Sequence, residues 1–281
     1  NKLITEKIEE TSGGITFSLD DKYIFYSKLD KFHRPRQIFS HKLGTPISSD
    51  RLIFEEKDEK FTCGISTSAD DKFYFINTSE HTSSEIYFFE NGENPELKLF
   101  KKRKDKIEYS IDSWNGYFWI HTNENAKDFK ICRCKHDNLD QILDYVPAKN
   151  GVMVGSFMFL QNWMIRAEKK DALQKLFIKN FKTGEEEELK ITNEAVISPS
   201  MSLMQKDRNT NKLRIGFDSP KTPARAYEYD LITKEKKLVK ELKIPSGHNR
   251  ENYIVERFNC CLLYTSDAAD EGLGVDLGGR R

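Results

Sequence analysis

One unit returns five times along this chain. Ser18-Leu19-Asp20-Asp21-Lys22-Tyr23-Ile24-Phe25 comes back as Ser68-Ala69-Asp70-Asp71-Lys72-Phe73-Tyr74-Phe75. Weaker copies stand at Asn115-Gly116-Tyr117-Phe118-Trp119, Gln161-Asn162-Trp163-Met164-Ile165 and Thr210-Asn211-Lys212-Leu213-Arg214-Ile215. With Lys22, Lys72, Gly116, Asn162 and Lys212 taken as equivalent, the steps are 50, 44, 46 and 50 residues. Repetition at roughly 40–50 residues marks an array of like units, each unable to bury its apolar faces alone.

Each copy holds four short apolar runs separated by polar turns. In order they are 14–18, 23–27, 37–43 and 51–55; then 61–67, 73–77, 85–89 and 96–100; then 107–111, 117–121, 129–134 and 141–145; then 152–159, 163–167, 175–180 and 186–191; then 195–204, 213–217, 226–231 and 236–239. Runs this short, rich in Ile, Phe, Tyr and Val, read as strands. Asp20-Asp21, Asp70-Asp71, Asn115-Gly116 and Asn211-Lys212 fall between the first and second runs and favour tight hairpins. The second runs, such as Phe73-Tyr74-Phe75-Ile76, do not alternate apolar with polar, so both faces are expected to be covered. Four-stranded antiparallel sheets stacked face to face about an axis meet these conditions. The chain is expected to be all-β, a partial β-propeller of about five blades; a β-sandwich would not explain the period.

Lys and Arg together number 45, as do Asp and Glu, so no net field draws nucleic acid or an acidic membrane. No stretch reaches the ~20 apolar residues of a spanning helix. No signal peptide is evident, and the chain starts at Asn1, which reads as a cut rather than a true start. Cys63, Cys132, Cys134, Cys260 and Cys261 are odd in number and suit no disulfide framework, which points to a reducing compartment. Cys132, Cys134 and His136 would share one strand face, but same-face neighbours lie roughly 6.5–7 Å apart, too wide for one zinc. A plain strand face is expected there, and no metal or cofactor.

From Cys261 the text changes: no Lys, Ile, Phe or Asn follows, although the preceding sequence is crowded with them. Residues 260–281 read as translated sequencing-adapter text and are set apart from the propeller, residues 1–259.

Arg34-Pro35-Arg36-Gln37-Ile38-Phe39-Ser40-His41-Lys42-Leu43-Gly44-Thr45-Pro46, followed by Asp50-Arg51-Leu52-Ile53-Phe54-Glu55-Glu56-Lys57-Asp58, resembles the propeller of the prolyl oligopeptidase family. The Arg-Pro pair, Glu55-Glu56-Lys57-Asp58, Thr82-Ser83-Ser84-Glu85, Glu108-Tyr109-Ser110-Ile111-Asp112 and Asn252-Tyr253-Ile254-Val255-Glu256-Arg257-Phe258 are most similar to its oligopeptidase B branch. The resemblance spans most of Leu3–Phe258 and weakens across Gly151–Glu241. It implies a seven-bladed ring capping an α/β-hydrolase domain in a cytoplasmic serine peptidase that cleaves short peptides after Arg or Lys. About five blades would be present here, and the catalytic domain absent. Peptides would then be met through that domain, which the propeller would contact.

The catalytic machinery itself is not found in the text. A nucleophile elbow needs Gly-x-Ser-x-Gly. The nearest string, Gly64-Ile65-Ser66-Thr67-Ser68, lacks the second Gly and falls in an inner strand. His33, His41, His81, His121, His136 and His248 lack the context of a general base. His41 is expected as a strand-end hydrogen-bonding residue. Lys101-Lys102-Arg103-Lys104 reads as a solvated loop, with contact to an acidic peptide or partner domain as the alternative. Glu185-Glu186-Glu187-Glu188 reads as a turn into an exposed strand, and Trp114, Trp119 and Trp163 as core. No catalytic residue is expected, so this chain alone should be inactive. The competing function is a non-enzymatic propeller that binds peptides or proteins. A partial ring also predicts open edges and apolar faces that promote association.

Overall fold

The computed structural model describes residues 7–91 and 96–258 of the 281-residue chain. The tail assigned to residues 260–281, with Cys260 and Cys261, lies outside the described residues. Five four-stranded antiparallel sheets follow one another along the chain, each with its strands in sequence order. Blade 1 is β1 (Thr11–Phe17), β2 (Tyr23–Leu29), β3 (Pro35–Lys42) and β4 (Arg51–Glu55). Blade 2 is β5 (Thr62–Thr67), β6 (Phe73–Ser79), β7 (Ser84–Glu90) and β8 (Lys98–Lys101). Blade 3 is β9 (Tyr109–Trp114), β10 (Tyr117–Thr122), β11 (Lys130–Lys135) and β12 (Asn138–Val146). Blade 4 is β13 (Val152–Leu160), β14 (Trp163–Lys170), β15 (Leu173–Asn180) and β16 (Glu186–Glu188). Blade 5 is β17 (Ser198–Leu203), β18 (Lys212–Asp218), β19 (Arg225–Asp230) and β20 (Lys236–Glu241). This is the partial propeller that the repeat predicts.

The repeated turn explains itself chemically. Ser18 Oγ donates to Asp20 Oδ1 (2.6 Å) and accepts from Tyr23 N (2.9 Å). Ser68 does the same with Asp70 (2.8 Å) and Phe73 N (3.0 Å). Asp21 and Asp71 then take positive φ (53° and 57°), a conformation Asp tolerates better than most residues. In blade 3, Asn115 and Gly116 are both at positive φ, as a two-residue hairpin of type I′ requires.

Four seams hold the blades together, and each is built mainly from the second and third strands. Phe25 and Ile38 of blade 1 meet Tyr74, Ile76 and Phe89 of blade 2. Phe73, Phe75 and Phe88 on the other face of blade 2 meet Phe118 and Ile120 of blade 3. Trp119 and Ile131 of blade 3 meet Phe159 and Met164 of blade 4. Ile165 and Leu176 of blade 4 meet Leu213, Ile215 and Tyr227 of blade 5. Each such side chain contributes about 1.5–3 kcal/mol on burial, so the seams carry most of the driving force.

Loss of alternation in the second strands follows from this double coverage. Trp163 through Glu168 of β14 are all buried. β18 is the exception: Leu213, Ile215 and Phe217 are buried, whereas Lys212 and Asp218 are exposed. Among the described residues no blade covers its second face, which carries charge, including the Lys212–Glu228 pair (2.7 Å). The outward face of blade 1 differs, because Ile15, Phe17 and Leu52 are exposed there. Apolar surface is therefore exposed at both ends of the partial ring, on the outward face of blade 1 and at Leu238 and Val239 of β20 in blade 5.

Most element boundaries shift by one to three residues from expectation, and two of the shifts bear on how blades 4 and 5 meet. The run 186–191 is strand only to Glu188, because Leu189 and Ile191 turn into the seam between blades 4 and 5. The run 195–204 starts as strand at Ser198. Just ahead of it, the Glu194 carboxylate accepts from the Ser219 and Thr222 hydroxyls, which anchors the approach to blade 5.

Candidate functional site

The first strands of blades 2, 3 and 4 converge on one cavity of about 250 Å³. Its wall includes Ser66 and Thr67 of β5, Ser110 and Asp112 of β9, Ser156 and Phe157 of β13, and His121 of β10. Side chains from three consecutive blades can share one space only where their first strands face a common axis. Ser66, Ser110 and Ser156 are exposed, so the axial wall presents hydroxyls beside the apolar side chains of Phe75, Ile111 and Phe157.

The two titratable groups in this wall are both held toward neutrality by burial. Asp112 Oδ1 accepts from Ala69 N (2.7 Å) and Ser113 N (2.8 Å), yet desolvation outweighs these bonds and raises its pKa. His121 is shifted down by burial; its Nε2 faces the Val154 carbonyl at 2.8 Å, so that nitrogen donates. Its ring stacks on Phe129 (4.7 Å between centroids). The arrangement offers hydroxyls to a polar chain and no hydroxyl–imidazole pair poised for attack. Gly64-Ile65-Ser66-Thr67 lies within β5 as an inner strand, and Ser66 Oγ accepts from Asn77 Nδ2 (3.2 Å).

A Ser/His/Asp constellation does occur, but its polarity is wrong for hydrolysis. Ser113 Oγ lies 2.9 Å from His136 Nε2 and 2.8 Å from Asp70 Oδ2. The carboxylate can only accept, so the hydroxyl donates to Asp70 and accepts from the imidazole. A catalytic serine donates to its histidine instead. Ser113 is fully buried, and the cluster ties blade 2 to blade 3. Residues 43 and 23 positions from Ser113 meet there, and no local motif announced it.

Cys132, Cys134 and His136 do face one way, into the seam between blades 2 and 3. His136 packs against Phe73 and Phe118, and both cysteines are buried in the same cluster. Desolvation pushes the thiols up, to about 12 for Cys132 and about 11 for Cys134. Among the described residues no group of three His, Cys, Asp or Glu is arranged to hold a metal.

His41 ends β3, as expected, and is buried with its Nδ1 2.6 Å from Asp50 Oδ1. Tyr26 Oη donates to the other oxygen of Asp50 (2.8 Å). The His-x-Leu-Gly-Thr…Asp signature thus closes the turn between β3 and β4, with Gly44 at a φ of +82°. Trp119 and Trp163 are core, and Trp114 stacks on Phe159 (5.9 Å).

The basic run 101–104 is solvated only in part: Lys102 and Lys104 are exposed, whereas Arg103 is drawn inward. Arg103 Nη2 reaches Glu56 Oε2 (2.6 Å) of blade 1 and Glu85 Oε1 (2.9 Å) of blade 2, and its guanidinium covers the Phe61 ring at 3.9 Å. Lys101 and Lys104 pair with Glu124 of blade 3. Glu56 and Glu85 are buried, so this is an inter-blade clamp. The acidic run is, as expected, a turn into an exposed strand, β16, and it also makes ion pairs: Glu186 with Arg166 (2.8 Å) and Glu187 with Lys234 of blade 5 (2.8 Å). Residues of several short motifs that resemble the oligopeptidase B branch meet here. Arg36, Glu56 and Glu85 surround one seam, while Ser84 Oγ accepts from Tyr109 N (2.6 Å).

These groups set the pH response. Burial holds His121 and His136 below the ordinary 6.5, so the unfolded chain takes up those protons first. Arg103 holds Glu85, and Arg166 holds Glu186, below 4.5 despite desolvation. Both effects lower stability as pH falls, and these four groups outweigh Asp112, whose raised pKa acts the other way. Melting temperature should begin to drop below about pH 6.5 and drop further below about 4.5, as carboxylates that are paired only when folded become protonated. A melting temperature that is flat or rising from pH 7 to 4 in calorimetry would contradict this assignment.

Among the described residues no helix is long and apolar enough to cross a membrane. The family profile described as "Prolyl oligopeptidase, N-terminal beta-propeller domain" matches residues 1–242. Protease 2 of Moraxella lacunata is 29% identical over 237 residues, covering 84% of this chain and 34% of that protein. Dipeptidyl aminopeptidase BI of Pseudoxanthomonas mexicana is 27% identical over 286 aligned residues, covering 96% of this chain and 39% of that protein. The chain therefore spans between a third and two fifths of the length of these curated relatives. Among solved structures, oligopeptidase B from Trypanosoma brucei with covalently bound antipain, in a closed form, superposes with a TM-score of 0.84 at 21% identity. The match covers 90% of this chain and 37% of that one. Oligopeptidase B from Leishmania major gives 0.83 at 19% identity, covering 92% and 38%. With the profile matching most of its length and the same blade architecture in its solved neighbours, the chain belongs to the prolyl oligopeptidase N-terminal β-propeller family.

Proposed function

We propose that this chain is the gating propeller of a longer serine oligopeptidase, working in the cytoplasm on short peptides and cleaving after Arg or Lys. The observation that carries the reading is the match of a peptidase propeller profile to residues 1–242, in a chain covering 34% of Protease 2. Glu56, Glu85 and Tyr109, from the motifs that resemble the oligopeptidase B branch, lie at the seams between blades and support that assignment. In this reading the propeller breaks no bond. It encloses a Ser-His-Asp site on an α/β-hydrolase domain encoded after residue 258, excludes folded proteins and moves to admit peptide. Residues 260–281 are foreign text replacing the start of that domain.

The test has two arms. The purified chain should show no turnover of fluorogenic Arg- or Lys-ended peptides. The natural reading frame, recovered from its source and expressed whole, should hydrolyse them and prefer them to Pro-ended ones. A natural frame that continues without a nucleophile elbow, or turnover by the chain alone, would overturn the reading.

A further inference from the structure

We propose that a buried water molecule bridges Arg36 Nη1 and Thr78 Oγ1 in the seam between blades 1 and 2. The inference does not depend on the peptidase reading. Both atoms are buried and make no hydrogen bond among the described residues. Thr78 is fully buried in β6, where its neighbours across the sheet are Cys63 of β5 and Glu85 of β7. Arg36 stands on β3 of blade 1, on the other side of this seam. Its Nε and Nη2 both donate to the Glu56 carbonyl (3.0 and 2.6 Å), which leaves Nη1 over. Arg36 and Glu56 also act electrostatically on Cys63, the residue opposite Thr78. The ring then closes through Arg103, which joins the Glu56 and Glu85 carboxylates.

Orphaned polar atoms are rare in protein interiors, because each one gives up its hydrogen bonds to water and regains nothing. Two in one seam call for a shared partner. Its chemistry follows from charge: Arg36 and Arg103 are balanced by Glu56 and Glu85, so an added ion of either sign would sit unbalanced in a desolvated site. A neutral molecule that both accepts and donates fits. It would accept from Arg36 Nη1, exchange a hydrogen bond with Thr78 Oγ1 and keep a proton for a carboxylate oxygen of Glu85. Buried waters typically make about three such bonds.

A high-resolution crystal structure of the chain and a Thr78→Val variant test this together. Valine keeps the shape and removes the hydroxyl. If water bridges the seam, the variant strands one of its hydrogen bonds and should melt about 2–4 °C lower. If the hydroxyl is a true orphan, its removal should raise the melting temperature. The crystal should show one density peak within hydrogen-bond reach of both atoms, with no anomalous signal there after a bromide soak. Absence of the peak, a bromide signal in its place, or a Thr78→Val protein that melts at or above the parent would overturn the proposal.

Discussion

Replacing Arg166 with methionine is expected to destabilise the propeller by about 3–5 kcal/mol, the range for breaking a buried ion pair from one side. Arg166 is 1% exposed in β14. Glu168 Oε1 accepts from its Nε (2.8 Å) and Nη2 (2.6 Å), and Glu186 accepts from Nη1 (2.8 Å) and Nη2 (3.0 Å). The guanidinium also lies 5.0 Å from the centre of the Phe177 ring. Methionine fills much of the volume but leaves Glu168 buried without its cation, and that stranded carboxylate is the source of the loss. Adding Glu168→Gln to the variant should therefore recover part of it. Urea denaturation of the three proteins is the measurement. A single substitution costing under about 1 kcal/mol, or a double variant weaker than the single by the full cost of a second mutation, would show that the pair is not coupled as the geometry requires.

Trp119→Ala should cost about 3–5 kcal/mol by a different route, the loss of packed surface and the cavity left behind. The indole is 1% exposed at the seam of blades 3 and 4. It meets Tyr145 edge-on at 4.7 Å and Phe159 at 5.2 Å, and its Nε1 donates to the Trp114 carbonyl at 3.0 Å. Trp119→Phe keeps a ring against Phe159 and abandons the hydrogen bond, so it should lie between the alanine variant and the parent. The same denaturation curves decide the matter, and a nearly neutral alanine variant would mean that the seam collapses around the gap or is not a main source of stability.

Much of this architecture could be read locally. The Ser-x-Asp-Asp-Lys turn folds through contacts within six residues, so Ser18 with Asp20 and Ser68 with Asp70 announce hairpins wherever they stand. The doubly apolar second runs announced sheets covered on both faces, and the spacing of the copies announced their number. His41 as a strand-end hydrogen-bonding residue was also legible, and the structure supplies its partner, Asp50, nine positions along the same signature.

The polar seams were not legible, and the reason is range. Arg103 looked like part of a solvated basic run because its neighbours in sequence are lysines, whereas its partners Glu56 and Glu85 come from two blades. Ser113, His136 and Asp70 meet only when blade 3 is laid against blade 2. Hydrogen bonding inside a turn is set by nearest neighbours and survives in any context. Pairing between blades depends on the angle and register at which whole sheets stack, and those are chosen by the summed burial of aromatic rings such as Phe73, Phe118 and Trp119. Composition and period therefore dictated which strands and turns would form, while stacking decided which charges lost their water and found one another.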